Sequence, residues 1–335
     1  MIKLVLVGIG SAFKIHVETI NHIDGVEVGA VIHPDILRAK KAAENIGCKL
    51  AFASVEESFP YCDAVVLCSP PGVHREAAVN SMEAGKAVLV EKPIASVIED
   101  AKAMIETSSR TGVPLMMGFN FCFRDGFIFL HDKIADGSLG KLNSIYMHRQ
   151  SRGQSVRNGV KNWRVNTPLA VGHTIDSLCH DISVLRYLAG DVKSVQAYTL
   201  ATLEFPGYDN TAVVSMKMES GALASIYSDW NSSLSFNMRG VSGSKGAISL
   251  SGPGNWDIYD AKLRVEGMDC DEIKIINDIH SNSKCYQREY EVFINAVKKS
   301  ADVPAPLTGI DGLKVLEISH AILNSSKNGK EVSLS

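Results

Sequence analysis

The first 118 residues repeat one alternation, a short and nearly continuous apolar run followed by a longer stretch with helical spacing. The runs Ile2–Val7, Val26–Ile32, Ala64–Ser69, Ala87–Glu91 and Leu115–Gly118 are separated by amphipathic stretches at about 12–23, 35–46, 73–84 and 96–111. A strand that is apolar throughout must be covered on both faces, and connections of a dozen residues or more permit parallel pairing. The pattern therefore predicts a parallel sheet with helices on either side. From about residue 119 the rhythm changes. A helix near 125–136 precedes longer, alternating runs at Leu142–Arg149, Val192–Leu203, Thr211–Met218, Ala222–Trp230, Ala247–Ser251 and Ile258–Val265, and two helices at about 284–299 and 309–327 close the chain. In one of these runs Ala212, Val214, Met216 and Met218 alternate with Thr211, Val213, Ser215 and Lys217. That is the signature of an antiparallel sheet covered on one face. Two domains are expected: an α/β domain over 1–118, and an α+β domain over 119–335 with a large, mostly antiparallel open sheet.

Charge and composition narrow the function classes. A net charge of −3 offers no basic surface to nucleic acid or anionic lipid. The longest apolar runs, such as Ala64–Cys68, are too short to span a bilayer. Met1 leads directly into the run Ile2–Val7, without the long apolar stretch of a secretory signal. Seven cysteines are scattered with no CxxC pair. Reduced thiols in a cytoplasmic protein are expected, and a zinc–thiolate site is not.

The first apolar run ends in Gly8-Ile9-Gly10-Ser11-Ala12-Phe13, which opens the first helical stretch. The first glycine permits a tight turn, the second lets backbone approach a pyrophosphate, and the helix N-terminus supplies free N–H groups. This predicts a dinucleotide-binding (Rossmann) domain. A third glycine is replaced by Phe13, whose side chain needs room beside the strand. At the end of the second run, where such folds place an Asp or Glu on the adenosine ribose, stands His33, followed by Pro34 and Asp35. Asp35 can substitute from the next turn, and Arg38 or Lys40 can face a phosphate. NAD and NADP both remain open, with a lean to NAD because no Ser-Arg pair is ready for a 2′-phosphate.

Several further segments carry a family resemblance. Gly85-Lys86-Ala87-Val88-Leu89-Val90-Glu91-Lys92-Pro93-Ile94-Ala95 resembles the "EKP" signature of the glucose–fructose oxidoreductase/inositol dehydrogenase (Gfo/Idh/MocA) family. Ser69-Pro70-Pro71-x-x-His74 resembles its cofactor-contacting loop, and the glycine loop with His16 resembles its N-terminal motif except at Phe13. Gly118-Phe119-Asn120 is similar to its turn into the second domain, although Phe121 and Cys122 replace the residues, often basic, that follow. Asp176-x-x-x-His180-Asp181 resembles its catalytic helix, with Ser183 in place of the last Asp, and Gly309 to Gly329 resembles its C-terminal helix. The resemblance runs from end to end. It implies an NAD(P)-dependent oxidoreductase that moves hydride between nicotinamide and a sugar, inositol or related polyol. It also implies pairing into dimers or tetramers through the second domain's sheet.

The residues themselves support this chemistry. Lys92 stands at the carboxyl end of a parallel strand, where open α/β sheets bind ligands, and Pro93 restricts its backbone. In the helix expected from His173 to Tyr187, Ile175, Leu178, Ile182 and Leu185 form the core stripe, while Asp176 and His180 share a neighbouring face with His173. Removal of hydride from a carbinol requires loss of the hydroxyl proton. His180 is the natural base, the Lys92 ammonium can stabilise the developing alkoxide, and Asp176 can hold a neighbouring hydroxyl or orient His180. The expected catalytic residues are Lys92, Asp176 and His180. Expected cofactor contacts are Gly8, Gly10, Ser11, Ala12, Phe13, His33, Ser69, Pro70, Pro71, His74, Glu91, Lys92 and Asn120. Substrate contacts are expected from Lys92, Asn120, Trp163, Arg164, Asp176 and His180.

Two rival readings use the same residues. His173, Asp176 and His180 offer three metal-ligand types, but one helix rarely turns all three on one ion and hydride transfer needs no metal; none is expected. A non-catalytic sensor has no reason to keep the acid–base set, whereas a tightly held NAD could serve epimerisation or hydrolysis. Substrate identity is not legible. Arg152, Arg157, Lys161 and Arg164 lie in the loop Ser151–Asn166, where a solvated basic loop is the plainer expectation.

Overall fold

The computed structural model describes residues 1–152, 171–201, 208–278 and 284–334. These fall into two compact units, Met1–Asn120 with Ser283–Leu316, and Phe121–Asn282 with Glu317–Ser335. Where the sequence suggests a boundary after residue 118, the first unit thus runs to Asn120 and also takes in a C-terminal piece.

In the first unit β1 (Ile2–Val7), β2 (Val26–Ile32), β3 (Ala51–Phe52), β4 (Ala64–Leu67), β5 (Ala87–Glu91) and β6 (Leu115–Gly118) form one sheet in the order β3-β2-β1-β4-β5-β6. All of its pairings are parallel. Helices α1 (Ser11–Ile20), α2 (Ile36–Asn45), α3 (His74–Glu83) and α4 (Ile98–Thr111) connect the strands. Leu4, Val5, Leu6, Val65, Val66, Leu67, Val88, Leu89 and Val90 are all fully buried, as their continuous apolar runs require. Strand order reverses between β1 and β4, and ligands bind in the crevice at such a switch point, beyond the carboxyl ends of the strands. Both Gly8 and Ser69 lie at those ends. Gly8 has φ +97°, and a Cβ there would sit 2.7 Å from the Ser69 backbone nitrogen, so glycine is required by both conformation and space.

The second unit contains α5 (Asp125–Ala135), β7 (Leu142–Arg152), α6 (Gly172–Asp176), α7 (Leu178–Ala189), β8 (Val192–Leu200), β9 (Thr211–Met218), β10 (Leu223–Asp229), β11 (Asn231–Gly243), β12 (Gly246–Gly252), β13 (Ile258–Val265) and β14 (Glu272–Asp278). With β15 (Val332–Ser333) the strands form a nine-stranded sheet in the order β14-β13-β12-β11-β7-β10-β9-β8-β15. It is antiparallel except where β7 meets β10. Ala212, Val214, Met216 and Met218 are buried while Val213 is half exposed, as the alternation predicts. Helices α8 (Lys284–Val297) and α9 (Gly309–Asn328) complete the chain. No helix among the described residues is long and apolar enough to cross a membrane.

The outer face of the second sheet carries a transverse row of residues on neighbouring strands. Tyr198 pairs with Val213, Val213 with Tyr227, Tyr227 with His148, and His148 with Met238. A depression of about 500 Å³ lies on this face, lined by Tyr146, His148, Leu223, Ser225 and Met238 among others.

Candidate functional site

The first unit presents an open helix N-terminus at the glycine loop. Helix α1 begins after Gly10 with no side-chain cap and no acidic residue in its first turn. Gly10 and Ser11 are exposed and Ala12 is half-buried, so the first-turn N–H groups are open to a ligand. A Cβ on Gly10 would meet only the Cys68 carbonyl oxygen, at 3.9 Å. An uncapped helix N-terminus reached over bare backbone fits a pyrophosphate. Phe13 is accommodated without loss of the turn, buried in the core at 6% exposure.

At the end of β2 the His33 ring accepts the Asp35 N–H at Nδ1, 3.0 Å away. Its other nitrogen therefore carries the proton and is a donor. Asp35 caps α2, its Oδ1 accepting from the N–H groups of Leu37 and Arg38 at 3.0 and 3.2 Å.

Two buried histidines fix the loops around Lys92. His74 is fully buried, with Nε2 2.8 Å from the Ser69 carbonyl and Nδ1 3.1 Å from that of Ile94. Burial pushes its pKa down, and the surrounding carbonyls only partly offset this. The neutral ring has one N–H, so it donates to one of the two carbonyls and packs against the other. It ties the Ser69-Pro70-Pro71 loop to the segment following the cis Lys92–Pro93 peptide. His16, on α1, joins Glu91 Oε1 at 3.1 Å through Nε2 and the Tyr290 hydroxyl at 2.9 Å through Nδ1. Glu91 Oε2 accepts the Lys92 N–H at 3.1 Å. Burial alone would raise the Glu91 pKa, but the His16 hydrogen bond and the charges of His16 and Lys92 outweigh it and hold it low. The Lys92 backbone is thus tied through Glu91 to α1 and α8, and the half-buried side chain leaves from a fixed point. Asn120 is buried at the start of a 3₁₀ turn over Asn120–Phe123.

Glu289, one residue before Tyr290, is fully buried, and among the described residues neither carboxylate oxygen has a hydrogen-bond partner. Burial, reinforced by the negative Glu91, pushes its pKa well up. Its position after Tyr286 in an amphipathic helix carries no sequence signal that separates it from a surface glutamate.

In the second unit the expected single helix over 173–187 is two. Helix α6 ends at Asp176, Ser177 keeps ψ −42° while its φ widens to −115°, and α7 starts at Leu178. The core stripe of Ile175, Leu178, Ile182 and Leu185 is buried on both sides of the break, which is why periodicity alone does not reveal it. The start of α6 is held by Asp209, whose carbonyl accepts the His173 N–H at 2.9 Å and whose Oδ2 accepts from the Thr174 N–H at 2.9 Å. Asp176 is buried. His180, in the first turn of α7, is half-buried and stacks on Phe121 with centroids 4.3 Å apart; Trp256 meets its edge at 5.5 Å and 69°. His173 is fastened elsewhere, to Ser228 Oγ at 2.8 Å and against Trp230 at 4.4 Å, and burial with the Arg149 charge holds its pKa well below the usual range.

Beneath these rings lie three buried arginines that a surface reading of charge misses. Arg124 contacts both carboxylate oxygens of Asp278 at 3.1–3.3 Å and donates to the Trp256 carbonyl at 2.6 Å. Arg149 donates to Asp181 from Nε at 2.8 Å, and Arg239 approaches the other Asp181 oxygen at 3.9 Å. Burial and the neighbouring arginines lower the Arg239 pKa to about 9. Arg149 does have a signal in the sequence: it continues the inward positions of Ile145 and Met147 along β7.

Trp163, Arg164, Arg157 and Lys161 lie outside the described residues; Arg152 is the exposed last residue of β7. Among the described residues no group of three or more His, Cys, Asp or Glu side chains is arranged to hold a metal ion.

Comparison with known proteins follows this division. Residues 2–119 match the model described as oxidoreductase family, NAD-binding Rossmann fold, and residues 127–249 match a GFO/IDH/MocA C-terminal domain. Inositol 2-dehydrogenase of Rhizobium meliloti is 25% identical, with 99% of each chain covered. Myo-inositol 2-dehydrogenase of Thermotoga maritima is 27% identical, over 99% of this chain and 98% of its own. In architecture the chain matches levoglucosan dehydrogenase, solved with NADH and L-sorbose, at a TM-score of 0.89 and 18% identity over 100% of this chain and 99% of that one.

Proposed function

Since the chain belongs to the Gfo/Idh/MocA oxidoreductase family and is an NAD(P)-dependent dehydrogenase acting on CH–OH groups, we propose that Lys92, Asp176 and His180 carry its chemistry on a sugar, inositol or related polyol. When bound, the nicotinamide ring supplies the acceptor or donor of hydride. His180 takes the proton of the reacting hydroxyl on oxidation and returns it on reduction. The Lys92 ammonium donates a hydrogen bond to the same oxygen and stabilises its developing charge. Asp176 holds a neighbouring hydroxyl or orients His180. The observation that carries the reading is the fastening of Lys92 at the carboxyl end of β5, where Glu91 holds its N–H and the following loop is tied by His74.

The cofactor contacts in this reading are the cradle of Gly8, Gly10, Ser11, Ala12 and Phe13 for the pyrophosphate, His33 for the ribose, and Ser69, Pro70, Pro71 and Asn120 for the remaining edge. His74 and Glu91 act by positioning these loops. NAD is the favoured cofactor, the His33 donor facing ribose hydroxyls with no Ser-Arg pair for a 2′-phosphate. Asn120, Trp163 and Arg164 line the substrate side. An assay of NAD and NADP reduction against inositols, hexoses and phosphorylated sugars tests the reading. With substrate deuterated at the reacting carbon, the label moves to nicotinamide C4. Absence of any turnover across the panel, or label lost to solvent, contradicts it.

A second copy of the chain is the proposed occupant of the second sheet's outer face, where Tyr198, Val213, Leu223, Phe236 and Met238 stay exposed. Sedimentation should give a dimer or tetramer; a stable monomer at micromolar concentration rules this out.

A further inference from the structure

We propose that Arg149 is a positioning residue that fixes His180 relative to Asp176, an inference that rests on the acid–base reading of His180. The break between α6 and α7 falls at Ser177, whose φ widens to −115°, and it lies between the two. Arg149 spans that break from β7. Its Nη2 donates to the Ser177 carbonyl at 3.2 Å and to the Ser177 hydroxyl at 2.9 Å. The same carbonyl accepts the backbone N–H of His180 at 3.2 Å. Nε of Arg149 donates to Asp181, the residue directly after His180, at 2.8 Å. The guanidinium face lies 4.1 Å from the Trp256 ring, whose ring in turn meets the His180 imidazole. One planar group therefore grips the residue that follows Asp176, the residue that follows His180, and the ring beside His180.

Packing does not explain the choice of residue. Arg149 is fully buried and follows Ile145 and Met147 on the inner face of β7, where an aliphatic side chain would fill space without desolvating a charge. A forked donor set is needed only by the acceptors at Ser177 and Asp181. Lysine cannot reproduce it, since a point charge on a flexible stem does not hold two acceptors in one plane.

The test is Arg149→Ala, assayed with NAD and the best-turned-over polyol of the panel above. A misplacement of about 1 Å at the reacting group costs roughly 100-fold, so kcat should fall by about that factor while KM stays within about 3-fold. NAD affinity, followed by fluorescence quenching, should not change. Millimolar guanidinium should restore part of kcat and ammonium at the same concentration should not. A kcat within about 3-fold of wild type, or a loss that guanidinium does not rescue, overturns the proposal. If Arg149→Ala fails to fold, Ser177→Ala removes one acceptor and keeps the ion pair; a kcat reduced several-fold supports the proposal and an unchanged one overturns it. His180→Ala is run in parallel. If it retains near-wild-type turnover, the reading of His180 fails; if it is inactive while Arg149→Ala is normal, only the positioning role fails.

Discussion

The two glycines of the first loop answer to different constraints, and substitution by alanine separates them. Gly8 combines φ +97° with a Cβ position 2.7 Å from Ser69 N and 2.8 Å from Ser69 Cα, both backbone atoms that no side-chain rotation can clear. The left-handed conformation costs an L-residue about 1–2 kcal/mol. Forcing the end of β1 from β4 adds about 1–3 kcal/mol of overpacking. Gly8→Ala should thus destabilise the first unit by roughly 2–5 kcal/mol, or about 4–20 °C at about 2–4 °C per kcal/mol. Gly10 has φ −78° and its nearest neighbour to an added Cβ is 3.9 Å away. Gly10→Ala should therefore cost under about 1 kcal/mol, the scale of exchanging an N-cap glycine for alanine. In the proposed cradle a methyl there stands in the path of the pyrophosphate to the α1 N-terminus, so NAD affinity should drop by about tenfold or more, about 1.4 kcal/mol. Thermal unfolding without ligand and NAD titration followed by fluorescence measure the two effects. A Gly10→Ala protein that binds NAD like wild type would refute the cradle assignment. Equal destabilisation by the two substitutions would refute the division of roles.

Three further outcomes follow from buried groups. Glu289, whose folded-state pKa burial and Glu91 raise well above the ordinary value, binds a proton that the unfolded chain releases. Its contribution is full below the ordinary glutamate pKa and declines as pH rises toward the folded-state value, so Glu289→Gln should flatten the fall of Tm with pH; parallel Tm curves would contradict this. Asp278→Asn leaves Arg124 with an uncompensated buried charge and should cost about 3–5 kcal/mol in urea unfolding, while Arg124→Met with Asp278→Leu together should cost less. Gly172 has φ +80° and its absent Cβ would collide with the Asp209 carboxylate. Gly172→Ala should therefore displace the start of α6 and cut turnover more than NAD affinity.

Legibility in the sequence followed burial on both faces. Strands β1, β4, β5 and β6 are apolar runs of four to six residues with nothing else to be, and the glycine loop marks the switch point between β1 and β4. Strand β3 has two residues and no pattern to read. Strand β11 opens with Asn231-Ser232-Ser233 and pairs irregularly with β7 between Asn231 and Phe236, so its alternation is hidden. Strand β14 lies at the sheet edge with Ile273 and Ile275 exposed, the reverse of what an apolar residue suggests. The same reversal hides the buried polar groups. Arg124, Arg239 and Glu289 belong to types that are almost always solvated; the Asp278 carboxylate that makes the burial of Arg124 tolerable is distant in sequence, and Glu289 has no hydrogen-bond partner among the described residues. Lys92, Asp176 and His180, the proposed catalytic residues, lie in spaced motifs, whereas Phe121 and Trp256, which frame the His180 ring, come from segments with no shared pattern.

Steady-state kinetics and NAD titration on Lys92→Ala and His180→Ala decide whether these two side chains carry the hydride chemistry. Each variant should lose about 100-fold or more in kcat, the scale of a general base or of a group that stabilises a developing alkoxide, and His180→Ala should bind NAD normally. Turnover close to wild type in either one would contradict the account.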